Sequence, residues 1–185
     1  MDHHAYRHAL AEQLEGAELP FAPAEFAARL ARVHAAMRDA GLEALLLTDP
    51  ADIFYLTGYH TFEVSVHTAL VVTADRRVLQ VPSIETGPAV VTAAVDEILG
   101  YRWEGIDEVI APLAETLSPF RSIGLDLFGA GLRFGVIREL QARLGAERFR
   151  DDGGALLDAV RLVKTPAELD CLRESARITA AGLAA

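Results

Sequence analysis

The sequence predicts an α/β domain in which a mixed central sheet is covered by helices on both faces, and three observations carry that prediction. Segments with apolar residues at three- and four-residue spacing alternate with short runs of Val, Leu and Ile. Two of those runs, Thr68–Thr73 and Val78–Val81, are separated only by a turn at Asp75-Arg76-Arg77, which makes them an antiparallel hairpin and the sheet mixed. The run Leu45-Leu46-Leu47 breaks off at Thr48-Asp49-Pro50, the kind of strand-to-polar-turn junction at which α/β proteins place a ligand-facing edge.

Composition narrows the function classes. The chain has 185 residues, 51% hydrophobic and 24% charged, which is a globular balance of about one domain plus an appendage. Its formal net charge of -10 argues against a nucleic-acid partner, because displacing counterions from phosphates needs clustered Lys and Arg. A single cysteine, Cys171, leaves no disulfide framework and no thiolate metal cluster. It stands between Leu169 and Leu172 in a helical pattern and is expected to pack as a thiol. Met1-Asp2-His3-His4 has no basic leader character, and no apolar run approaches the ~20 residues of a membrane span. The expectation is a cytoplasmic protein with no membrane partner.

Taken in order, Tyr6–Glu15 is expected to form a short helix, and His3, His4 and His8 are read as a polar tail rather than a metal site. Pro23 suits the first position of a helix over Ala24–Ala40, with Phe26, Leu30, Val33 and Met37 on one face and Arg29, Arg32 and Arg38 on or near the other side. Gly41 ends it. Strand Ala44–Thr48 leads into a compact turn, then Ile53-Phe54-Tyr55-Leu56 and Thr57-Gly58-Tyr59. After the hairpin, Ser83–Thr86 opens a helix to about Ala94, and Glu97–Gly100 is strand-like. Gly105–Leu117 is helical with Pro112 inside it, which kinks it or shifts its start. Ser122–Asp126 is a strand, and Leu132–Leu144 is a helix with Phe134, Ile137, Leu140 and Leu144 inward. Phe149–Asp151 is an edge strand and Leu156–Val163 a linker. Thr165-Pro166-Ala167-Glu168 is a capping box that must open a helix running through Leu169, Leu172, Ala176, Ile178 and Leu183. That helix carries no stop signal; it is expected to belong to a following domain, the alternative being a helix that docks on its own domain or on a second copy, which spacing alone does not separate.

The chemically loaded segment is His60 to His67. His60, Glu63 and His67 would share one side of a helix, but Val64-Ser65-Val66 reads as extended, so the three are not expected to converge on a metal. Gly129-Ala130-Gly131 follows a strand and opens a helix, as a dinucleotide loop does, but the third glycine, Gly135, falls one position late; a permissive turn is the expectation. Tyr101 and Trp103 flank Arg102 and are read as covering a core end. Ser65, Ser118 and Ser122 have no patterned base, so no nucleophilic triad is inferred.

Three features carry a resemblance to a known family: the segment DIFYLTGY at Asp52–Tyr59, the order helix, strand, turn, hairpin, helix, strand, helix, and RLVKTPAEL at Arg161–Leu169 followed by Leu172-Arg173 and Ala176. The chain resembles the N-terminal domain of the creatinase, prolidase and aminopeptidase P superfamily. The resemblance implies a three-layer α/β/α fold with a mixed sheet, ribonuclease H-like. It implies an extension at 1–22, the N-terminal domain at 23–160, and at 161–185 a linker with the first helix of a "pita-bread" catalytic domain. Family members hydrolyse Xaa-Pro peptide bonds or C–N bonds of small molecules. The peptidases use two divalent metals (Mn, Co or Zn is expected for the parent protein) held by two Asp, one His and two Glu of the catalytic domain. None of these ligands can be carried onto this sequence, so the chain itself is expected to bind no metal cofactor and to have no catalytic residues. Its expected partners are its own catalytic domain and a second copy. The loop after the YLTGY-like motif implies weak substrate contacts at Tyr59, His60, Phe62, Glu63 and His67. Xaa-Pro dipeptidase is the leading reading of the parent. A creatinase-like or ectoine-hydrolase-like C–N hydrolase, or a free-standing dimerisation module, is the alternative.

Overall fold

The computed structural model describes residues 21–184 apart from Trp103 and Ala130. The expected helix at Tyr6–Glu15 and the His3, His4, His8 tract lie outside the described residues. Seven α-helices and six strands follow among those described: α1 Pro23–Ala40, β1 Ala44–Leu47, α2 Pro50–Thr57, β2 Ala69–Thr73, β3 Arg77–Pro82, α3 Thr86–Thr92, β4 Glu97–Tyr101, α4 Asp107–Leu117, β5 Ile123–Gly124, α5 Phe134–Leu144, β6 Phe149–Arg150, α6 Gly153–Leu162 and α7 Pro166–Ala184. The strands form one sheet in the order β4-β3-β2-β1-β5-β6. β2 runs antiparallel to both β1 and β3, and the remaining pairs are parallel, so the sheet is mixed.

Strand alternation sorts the core into two layers. Leu45 and Leu47 of β1 point into a cluster with α1, α2, α3 and α6. Ala44 and Leu46 point into a second cluster with α4 and α5. Burial on both faces explains why β1 and β2 read as unbroken apolar runs rather than alternating ones. Among the described residues no helix is long and apolar enough to cross a membrane.

Two segments differ from their sequence reading. The turn after Asp49 is a two-turn helix. Asp49 caps it by accepting from the N–H groups of Ala51 (2.8 Å) and Asp52 (3.3 Å), Pro50 takes its first position, and Gly58 closes it at φ 78°. A Cβ at Gly58 would lie 2.9 Å from the ring of Phe26, so no side chain fits there. The stretch read as a linker is α6, which buries Leu156 and Leu157. Four residues also differ. Phe134 is exposed, with Val136 taking its inward place. Cys171 is exposed rather than packed. Val64 and Ser65 form a turn, not an extended segment.

The largest departure is Arg29. Its position, three residues after Phe26 and four before Val33, lies on the core-facing side of α1, and its side chain is 1% exposed. Its Nη1 donates to the carbonyl of Tyr55 (3.0 Å) and its Nε to Glu25 Oε1 (3.1 Å), and its Nη2 pairs with Glu168 Oε1 (3.1 Å). The rings of Phe21 and Tyr55 lie 4.0 and 4.6 Å from its guanidinium carbon. Thr165 and Glu168 complete the predicted capping box: the Thr165 N–H donates to Glu168 Oε2 (2.7 Å), and the Glu168 N–H donates to Thr165 Oγ1 (3.2 Å). Thr165 Oγ1 itself donates to Glu25 Oε1 (2.8 Å). The box thus starts α7 and ties that start to α1.

Removing the Arg29 guanidinium strands two carboxylates and a carbonyl in a poorly solvated site. Arg29→Met is therefore expected to lower the unfolding free energy by about 3 kcal/mol or more in urea titrations, and a loss under about 1 kcal/mol would contradict this placement. Gly131 approaches β1 so closely that a Cβ would overlap the carbonyl oxygen of Thr48. Gly131→Ala should cost about 1–3 kcal/mol in the same assay as the loop is pushed off the strand end.

Candidate functional site

Because β2 alone is reversed, the carboxyl ends of β1, β3, β4, β5 and β6 reach the same edge of the sheet, together with the start of β2. That edge gathers Thr48-Asp49, the 58–68 loop, Tyr101 and the 125–133 loop. Open α/β sheets bind ligands at this edge because strand ends hold the loops rigidly there. Arg133 links two of the loops by donating to the carbonyl of Ser65.

A cleft of about 500 Å³ opens beside the edge on the α4/α5 face, lined by Val66, His67, Tyr101, Ile106, Arg133 and Val136 among others. His67 is the buried polar group in it, 5% exposed. Its position is fixed from several sides. The Gln80 amide Nε2 donates to the carbonyl of Val109 (3.0 Å), which turns Gln80 Oε1 toward His67 Nε2 (3.1 Å). Nε2 therefore carries the imidazole proton, and Nδ1 is left as a bare acceptor. The Tyr101 hydroxyl donates to the His67 carbonyl (2.7 Å), holding the backbone. Among the described residues, the buried His67 Nδ1 has no hydrogen-bond partner. Burial pushes the imidazole down to about pH 4, the nearby charge of Arg133 acts in the same direction, and the Gln80 bond opposes them. At neutral pH the ring is an uncharged acceptor.

The other expected site residues are dispersed. Tyr59 is buried in the opposite core layer, where its hydroxyl donates to Glu85 Oε2 (3.2 Å). Burial next to that carboxylate pushes the phenol up. His60 is exposed and packs edge-on against Phe54, with Nδ1 3.4 Å from the carbonyl of Gly58. Phe62 is 92% exposed. Glu63 turns back on its own loop and accepts from the Ser65 N–H (3.2 Å) and hydroxyl. His60, Glu63 and His67 thus have separate partners. Among the described residues no three His, Cys, Asp or Glu side chains come together as a metal-ion ligand set, so no metal-dependent step is derived from this chain. Sequence reasoning missed Tyr101 and Arg133 as lining of the cleft and Gln80 as the buried partner of His67. Gln80 carried a usable signal, since one amide inside the apolar strand VLQVP must find a partner.

Residues 29–163 match the family model described as Creatinase/Prolidase N-terminal domain. The chain belongs to that family. Its creatinase/prolidase-type fold is similar to the prolidase from Pyrococcus horikoshii OT3, at a TM-score of 0.64 and 16% identity over 82% of this chain and 40% of the other. It is also similar to an XXA-pro aminopeptidase from Streptococcus pyogenes, at a TM-score of 0.60 and 23% identity over 75% of this chain and 99% of the other. Among curated proteins it is 25% identical over 174 residues to the ectoine hydrolase of Halomonas elongata, covering 88% of this chain and 43% of that protein. The chain spans less than half the length of the curated relatives it matches.

The neutral His67 of this creatinase/prolidase-type domain has a stability consequence. Its folded pKa of about 4 lies below the ordinary 6.5 of the unfolded chain. Between those values the unfolded chain takes up a proton that the folded one refuses, so stability is full above the upper value and falls as pH drops through the window. The loss is on the order of 3 kcal/mol. His67→Gln keeps an N–H toward Gln80 without a titrating ring. It should flatten the fall in stability across this window, measured by urea unfolding at stepped pH. An unchanged slope in the variant would contradict a buried neutral His67.

Proposed function

We propose that this chain serves as the non-catalytic N-terminal domain of a metal-dependent Xaa-Pro dipeptidase/aminopeptidase-like hydrolase, where it supports dimerisation and one wall of substrate selection. The observation that carries the reading is the family match over 29–163 in a chain that spans less than half of its curated relatives. Two features support it. The 58–68 loop presents Phe62 and the adjoining 125–133 loop presents Phe128, each 92% exposed, as surface for another chain or domain to cover. α7 leaves the Arg29 cluster with Leu169, Leu172, Ala176 and Leu183 along one side, of which Leu172 is 54% and Leu183 86% exposed.

An ectoine-hydrolase-like C–N hydrolase is the second reading, favoured by the similarity to the Halomonas protein over most of this chain. In both readings the metal and the chemistry reside elsewhere. The purified chain supplied with Mn²⁺, Co²⁺ or Zn²⁺ should then turn over neither Xaa-Pro dipeptides nor ectoine, and metal-dependent turnover of either would contradict the proposal. Sedimentation of the same sample should show a concentration-dependent dimer; a monomer throughout would remove dimerisation from it. A reading frame continuing beyond Ala185 into two Asp, one His and two Glu supports the proposal. A stop codon there favours a free-standing module. Comparing full-length turnover of Gly-Pro with that of ectoine separates the two hydrolases.

A further inference from the structure

We propose that the groove between α2 and α7 is the docking site of this chain's own N-terminal extension, with Leu10, Leu14 and Leu19 against its aromatic floor and Glu12, Glu15 and Glu18 toward its basic rim. The proposal does not rest on the hydrolase reading, because the groove and its occupant both belong to this chain.

The first observation is the groove itself. It has a volume of about 400 Å³, and the rings of Phe21, Phe54 and Tyr55 form its floor. The facing wall is the side of α7 that carries Glu168, Cys171, Leu172 and Ser175 at three- and four-residue spacing. The Arg29 cluster joins the two walls at their base. Beyond it, Phe54 is only half-buried and Leu172 is 54% exposed, so apolar surface is left for a further segment to cover.

The second observation is where the chain enters. Phe21 stands two residues before α1, and its ring lies 4.0 Å from the Arg29 guanidinium carbon and edge-on to Phe26, with centroids 6.2 Å apart. The backbone that precedes Phe21 therefore leaves from the groove's own floor, and 20 residues precede it. A segment tethered there meets the groove at an effective concentration on the order of millimolar, so weak apolar contacts suffice to hold it. Eleven residues line the groove. A stable interface between separate chains uses roughly 20–30 on each side, which favours a tethered occupant over a second copy.

The third observation is complementarity. From Leu10 to Pro20 the sequence carries Glu12, Glu15 and Glu18 and no Lys or Arg. The groove's rim carries Arg161 and Lys164. Arg161 pairs with Asp52, whereas Lys164 donates to the carbonyl of Arg161 and forms no ion pair among the described residues. Leu10 and Leu14, four residues apart, share one side of the helix expected over Tyr6–Glu15, and Leu19 follows Gly16 on the approach to Phe21. Apolar residues and carboxylates thus alternate in the extension as apolar floor and basic rim do in the groove.

Cys171 is the chain's single cysteine and lines the groove, so it reports occupancy in the full chain. Its alkylation by iodoacetamide should be about fivefold faster or more in a variant carrying Leu10→Ser, Leu14→Ser and Leu19→Ser than in the parent chain, as for a site covered most of the time. Serine adds no charge, so the thiol's own reactivity is not altered by the change. A second measurement holds even if the serine variant folds poorly. With Leu14→Cys or Leu19→Cys in the full chain, mild oxidation by glutathione disulfide should join the new thiol to Cys171 within one chain, from at least one of the two positions. Lys164→Glu should lower that yield about threefold, and adding Glu12→Lys, Glu15→Lys and Glu18→Lys should restore it. Equal alkylation of a folded serine variant and the parent overturns the proposal and leaves the groove to a following domain. Absence of the intrachain disulfide from both positions overturns it as well. Disulfides formed only between chains also overturn it, with a second copy as the occupant.

Discussion

Three separated parts of the chain meet on the guanidinium of Arg29: Glu25 one turn back on α1, the carbonyl of Tyr55 near the end of α2, and Glu168 in the first turn of α7. A buried guanidinium is tolerated only when its donors are met, and here aromatic faces from Phe21 and Tyr55 cover what the oxygens leave. The consequence is architectural. Arg29 holds the last turn of α2 by donating to the carbonyl of Tyr55, and the segment after α6 must return to α1 for Glu168 to reach the same charge. Arg32 reinforces the arrangement by donating to the Tyr55 hydroxyl (2.6 Å) and to the carbonyl of Val163 (3.2 Å). Arg161, pairing with Asp52, closes the other side.

The position of α2 then determines the functional edge. Gly58 can close α2 only in a left-handed conformation packed against Phe26, which launches the 58–68 loop across the carboxyl ends of the strands. The loop ends at His67, immediately before β2, so the imidazole drops beside Gln80 of the next strand while His60 and Phe62 stay outside. One loop thereby serves two surfaces: an exposed apolar rim, and the inner wall of a cleft.

Much of this was legible in the sequence, and the failures have physical causes. The layered α/β/α fold, the hairpin and the Thr165–Glu168 box followed from periodicity and capping chemistry that act locally. α2 was misread although Asp49, Pro50 and Gly58 spelled both of its ends, because eight residues are too few to display a helical period. α6 was misread because Leu156, Leu157 and Val160 sit in a stretch that also looks like a connector. Arg29 was placed on or near the side opposite the apolar face, although its spacing from Phe26 and Val33 puts it inward; a partner 139 residues away, Glu168, helps make that burial tolerable. For the candidate site, His67 was legible and its setting was not. Gln80, Tyr101 and Arg133 come from two strands and a helix start that only the sheet order brings together.

One fork-shaped cation couples the end of α2 to the start of α7. Hydrogen exchange on Arg29→Lys tests it most directly, since lysine keeps the charge and loses the planar five-donor geometry. The amide of Gly58, which donates to Phe54 O, and the amide of Leu169, which donates to Thr165 O, should lose protection together in the variant. Retained protection at both, or loss at one without the other, would contradict the coupling.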